Sequence, residues 1–142
     1  MDDLLIALAR FGSGIFAGTC LYVSAVGQPV RVAGAIATAL PHFNASLSKS
    51  ERLQPALHVF ALLCTIAACA LGPSVTRIAA LVLMAPILPY SLLVVVPLNN
   101  SLRARNLLMR PDEAVANLKR WSTLHGVRTG LAVAAFGLLC WP

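Results

Sequence analysis

Apolar residues run almost unbroken through four stretches of the chain, residues 4–26, 53–72, 75–97 and 124–141. Each approaches or reaches the roughly 20 mostly apolar residues that an α-helix needs to cross the hydrocarbon core of a bilayer. Polar residues gather between these stretches, leaving one tight turn, two longer loops and two short ends. The pattern predicts an all-α fold: a four-helix transmembrane bundle that forms a single integral membrane domain over residues 1–142. Gly72-Pro73-Ser74 is short enough to force an antiparallel pair, with Gly and Pro ending one helix and starting the next. Ser48 and Glu51 have the spacing of a capping box, so the second helix is expected to begin just before Leu53 and to be disturbed early by Pro55. Pro111-Asp112-Glu113 reads as another helix start, with acidic residues at the positive end of the dipole. A helix from there to about Cys140 sets Trp121 at one membrane interface and Trp141 at the other.

Composition agrees with this reading: 58% of residues are hydrophobic and 11% charged, and the mean hydropathy is +0.80. Asp2 and Asp3 precede the first stretch where a signal peptide carries basic residues, so it is expected to be a retained span. Arg31, Lys49 and Arg52 lie in the first long loop, and Arg103, Arg105, Arg110, Lys119 and Arg120 in the second, against Arg77 alone in the turn. The positive-inside rule then puts both long loops in the cytoplasm and both termini on the non-cytoplasmic side. The net charge of +6 is mostly this asymmetry, which makes nucleic acid a poor partner and anionic lipid headgroups a good one.

Cys20, Cys64, Cys69 and Cys140 all fall within the spans and form no CxxC pair, so neither a disulfide framework nor a zinc site is expected. Asn44-Ala45-Ser46 is a formal glycosylation sequon that the predicted orientation hides in the cytoplasm.

The candidate chemistry is polar and lies at membrane depth. No Asp or Glu falls in any span, yet Arg10 and Arg128 do. Arg10 is near enough to its end of the first span to snorkel. Arg128, one turn deeper than His125, is costly near the midplane, by at least ~2.5 kcal/mol. Trp121, His125 and Arg128 are spaced for one helical face. The end of span three brings Asn99 and Asn100 to their level, with Tyr90 earlier in that span. Span two enters there with His58, and span one leaves past Tyr22 and Gln28. Taken singly, His58, Tyr22 and Tyr90 read as packing or interfacial residues. Together they call for a polar cavity, because unpaired polar groups in hydrocarbon cost several kcal/mol each. Pro86, Pro89 and Pro97 release carbonyls in span three, which is tolerated where the backbone is buried or lines a cavity. Gly12, Gly14, Gly18, Gly126, Gly130 and Gly137 are expected to allow close helix approach.

Pro89-Tyr90-Ser91, Pro97-Leu98-Asn99-Asn100-Ser101-Leu102 and the Trp121–Thr129 segment WSTLHGVRT resemble the motifs of the anthrone oxygenase-like family of small four-helix membrane proteins. The family pattern is Pro-Tyr-Thr, Pro-x-Asn-x-x-Leu and Trp-x-x-x-His-x-x-Arg; here Ser91 replaces the threonine and keeps its hydroxyl. The resemblance implies a cofactor-free membrane oxygenase that oxidises an anthrone-like aromatic polyketide to a quinone with molecular oxygen, without flavin, haem or metal. On this reading His125 is the general base, Arg128 and Asn99 hold the enolate oxygen, and Trp121 stacks on the planar substrate, with His58, Tyr90 and Tyr22 as further substrate-binding residues. The partners it implies are membrane lipids, a hydrophobic aromatic small molecule and oxygen; self-association into a homo-oligomer is left open. Two other readings stand beside it. One is a non-catalytic four-helix protein that binds a lipid, quinone or partner protein. The other, weaker, is a haem protein with His58 and His125 as axial ligands.

Overall fold

The computed structural model describes residues 2–104 and 106–141. Four helices long and apolar enough to span a membrane account for most of them: α1 (Asp3–Ala33), α2 (Ile36–Leu71), α3 (Val75–Leu102) and α4 (Pro111–Cys140). Among the described residues there is no strand. The chain forms a four-helix bundle whose outer surface is apolar: Phe11, Val30, Leu63, Val82 and Leu93 are all well exposed. That inside-out pattern suits a lipid surrounding.

Neighbouring helices run antiparallel, as their contacts show. Gly12 lies against Ala61, Phe16 against His58 and Arg31 against Ser46, so α2 retraces α1. Thr65 meets Met84 while Asn44 meets Leu102, which orders α3 against α2. Tyr90 bonds to Leu124 and Trp121 to Asn99, and Arg10 donates to the Leu139 carbonyl at 2.6 Å while Gln28 donates to that of Leu118. These contacts close the ring through α4. Arg10 thereby satisfies one of the carbonyls that the end of α4 leaves without an intrahelical donor.

The expected loop over residues 27–52 is largely helical. Only Gly34 and Ala35, in extended conformation, separate α1 from α2. Residues 36–52 are too polar to register as a span, but Ala39, Leu40, Phe43 and Leu47 form a buried stripe against Leu98, Leu102, Leu107 and Leu118, and an amphipathic stripe is enough to hold a helix. The Ser48–Glu51 capping box is therefore absent: Ser48 sits inside α2 and its hydroxyl donates to the Ala45 carbonyl. The tight turn is as expected, with the Ser74 hydroxyl accepting from the Arg77 amide to cap α3. Pro111, Asp112 and Glu113 open α4. Arg105, counted among the basic residues of the second loop, lies outside the described residues, as does the side chain of Asp2.

Among the glycines expected to allow close helix approach, it occurs at Gly12 and Gly14 of α1. A Cβ on Gly12 would come within 2.8 Å of the Phe60 ring, and one on Gly14 within 3.0 Å of Phe136, whereas Gly18, Gly126, Gly130 and Gly137 have nothing within 4 Å. Those four correct the expectation for the glycines as a set: they lie outside the tight helix contacts.

Two helices contain π-helical turns, Val23–Gly27 in α1 and Ser91–Val95 in α3. The second lies between Pro89 and Pro97, where missing amide hydrogens interrupt the ladder. The Ser91 hydroxyl donates to the Ile87 carbonyl at 2.7 Å, satisfying one group of the irregular stretch.

Candidate functional site

A cavity of about 380 Å³ opens between the four helices at the end where α1 meets α2. That volume falls within the ~300–1,000 Å³ of small-molecule sites. Part of its wall is apolar, with Leu88, Leu92 and Val95 around the π-turn of α3. Toward the mouth the lining turns polar, with Arg31, Ser46, Ser50, Glu51 and Arg103.

Asn99, Trp121, His125 and Arg128 all line this cavity, and all are buried. Spacing on α4 brings the last three together. The His125 ring stacks on the Trp121 indole at 4.6 Å and 12°, and the Arg128 guanidinium lies 2.8 Å from His125 Nδ1. Trp121 Nε1 donates to Asn99 Oδ1 at 2.7 Å, which fixes the Asn99 amide with its Nδ2 toward Glu51. Phe43 meets the indole edge-on. One indole face is thus occupied by His125.

Arg128 is the site's charged centre. It is 9% exposed, donates to Gln54 Oε1 at 2.7 Å, and has no acidic partner among the described residues. Its Nε makes no hydrogen bond. Arginine carries no acceptor, so in the contact with His125 it is Nδ1 that accepts, and a neutral ring then has its proton on Nε2. Nε2 is itself buried with no well-formed hydrogen bond. The lone pair that a general base at His125 would use is engaged by Arg128.

Three expected site residues do not line the cavity. His58 is buried against the Phe16 ring at 4.9 Å. The Tyr90 hydroxyl donates to the Leu124 carbonyl at 3.0 Å, a tie between α3 and α4. Tyr22 is 64% exposed on a shallow outer groove with Gly18 and Leu53. His58 and His125 therefore do not share a chamber.

Sequence reasoning missed Gln54 and Glu51. Gln54 holds Arg128, while Glu51 accepts from Asn99 Nδ2 at 3.4 Å and from Arg103 at 2.7 Å. A signal was present: Glu51, Gln54 and His58 follow the i, i+3, i+7 spacing of one helical face. Arg31, also lining the cavity, rests on Phe43 and donates to Gln28 and Ser46. Among the described residues no three His, Cys, Asp or Glu side chains are grouped to hold a metal ion.

A family model described as anthrone oxygenase matches residues 43–138, a range that includes every residue of the Trp121–Asn99–Glu51 chain and Arg128. No curated protein and no solved structure matches the chain.

Proposed function

The chain belongs to the anthrone oxygenase family, and from that premise we propose that its cavity binds an anthrone-like aromatic polyketide and oxidises it to the quinone with molecular oxygen. One observation carries most weight: Arg128 is a buried guanidinium whose partners, Gln54 and His125, are both neutral. A buried cation with no direct ion pair favours an anion that forms beside it. An anthrone becomes such an anion when its methylene loses a proton and the charge moves to the carbonyl oxygen. Arg128 holds that oxygen, and Asn99, oriented by Trp121, supplies a second polar contact. His125 keeps Arg128 in place through Nδ1. The enolate gives electrons to oxygen directly; the methylene hydrogens are lost, one oxygen atom becomes the new carbonyl, and the other leaves as water.

The test is to incubate the detergent-purified protein with emodin anthrone under oxygen and follow anthraquinone formation beside a no-protein control. Formation faster than autoxidation is expected. A rate equal to autoxidation together with saturable binding of the anthrone would make this a non-catalytic binding protein.

We also propose that the cavity mouth faces the cytoplasm, because Arg31, Lys49, Arg52, Arg103, Arg110, Lys119 and Arg120 belong to that end. Reporter fusions at both termini are expected to be active on the non-cytoplasmic side. Asn44 is expected to stay unmodified in a eukaryotic host, its amide donating to the Leu102 carbonyl; a glycan there would reverse the orientation.

A further inference from the structure

Enolate formation needs a group to take the proton, and the cavity offers few. Arginine stays protonated at any working pH, and amides, hydroxyls and indole are not bases in this range. That leaves His125 and Glu51 among the lining residues. The Nδ1 of His125 is occupied by Arg128 and its Nε2 is buried. Glu51 is the one carboxylate in the lining. A carboxylate has about four lone-pair positions, and only two are used, by Asn99 and Arg103.

Position supports the same residue. Glu51 and Gln54 are three apart on α2, neighbours on one face with about 5–6 Å between their Cβ atoms, and Gln54 holds Arg128 at 2.7 Å. The proton acceptor and the anion holder therefore face the same chamber from adjacent places. In an anthrone the methylene lies across the central ring from the carbonyl, so the two tasks require two separate groups. The Glu51 side chain is 34% exposed, which gives it contact with water for proton exchange.

We infer that Glu51 is the catalytic base of this site, presented by Asn99 and Arg103; the inference rests on the proposed oxidation. Its carboxylate takes one methylene proton, and the C–H electron pair passes into the ring as the enolate held by Arg128. Oxygen accepts the electrons and bonds to that carbon, and protonated Glu51 returns the proton to give the hydroperoxide. Glu51 then takes the second proton of the same carbon as the O–O bond breaks. The carbonyl forms, and the leaving hydroxide receives that proton as water.

The experiment compares wild type, Glu51→Gln, Glu51→Asp and Glu51→Ala in emodin anthrone turnover, with size-exclusion profiles to confirm folding. Glu51→Gln is expected to lower kcat by about 10²-fold or more, the usual contribution of a general base, with KM within about threefold. Glu51→Asp should keep an intermediate rate, and added formate should restore part of the Glu51→Ala rate. Mixed without oxygen, wild type should generate the absorption of the anthrone anion and Glu51→Gln should not; this second readout is independent of turnover. A Glu51→Gln protein with wild-type kcat and anion formation overturns the assignment and leaves the oxygenase reading standing. Wild type no faster than autoxidation overturns both.

Discussion

Arg128→Met is expected to lower kcat/KM for an anthrone by about 10²–10³-fold, the usual cost of removing one donor from an oxyanion site. Stability should change far less, because two effects oppose each other. The substitution leaves Gln54 Oε1 and His125 Nδ1 without their donor, at roughly 1–3 kcal/mol for a stranded buried group. It also removes a cation whose burial at membrane depth costs at least ~2.5 kcal/mol. A large loss of rate with a nearly unchanged melting temperature is thus the expected signature. Arg128→Lys keeps the charge but loses the planar fork that reaches Gln54 and His125 together, so it should fall between the two. Activity of Arg128→Met within threefold of wild type would remove the guanidinium from the chemistry.

Trp121→Ala should have the largest effect on stability. The indole is 4% exposed, stacks on His125, meets Phe43 edge-on and donates to Asn99. Truncating such a residue to alanine costs about 3–5 kcal/mol, a large part of the ~5–15 kcal/mol that holds a typical domain together. Trp121→Phe fills most of the space and severs only the bond to Asn99 Oδ1. Its melting temperature should stay closer to wild type while turnover falls, because the Asn99 amide then keeps only its longer bond to Glu51. Unfolding can be followed with a thiol-reactive dye once the exposed Cys140 is blocked, since Cys20 and Cys64 are free and buried. Equal melting temperatures for Trp121→Ala and wild type would contradict the packing described here.

The four spans were legible because a bilayer demands long uninterrupted apolar runs, and nothing shorter serves. The helical stretch before Leu53 was not, since its apolar stripe of Ala39, Leu40, Phe43 and Leu47 satisfies a helix on a helix and not a helix in lipid. Reading Glu51 as a helix cap at the edge of a loop, rather than as a residue well inside α2, drew attention away from the face it shares with Gln54. Trp121, His125 and Arg128 were readable from spacing within one regular helix. For Tyr22, Tyr90 and His58 the sequence indicates a level along the helix and not a direction. The face a residue presents depends on helix rotation, and a π-turn begins directly after Tyr22 and another directly after Tyr90. The engagement of His125 Nδ1 by Arg128 depends on side-chain geometry that no spacing encodes.

At about 1.5 Å per residue, the 36 residues of α2 extend roughly 54 Å, well beyond the ~30 Å of a hydrocarbon core. Its apolar half ends near Leu53, so the cavity lies across the edge of the hydrocarbon, with Leu88 and Leu92 on the oily side and Ser46, Ser50 and Glu51 on the wet one. On the proposed oxidation, a tricyclic ligand resting there would touch two solvents at once, with oxygen and the apolar reactant drawn from the first and protons exchanged with the second. The excess length of α2 would thus make the chamber a phase boundary between lipid and water.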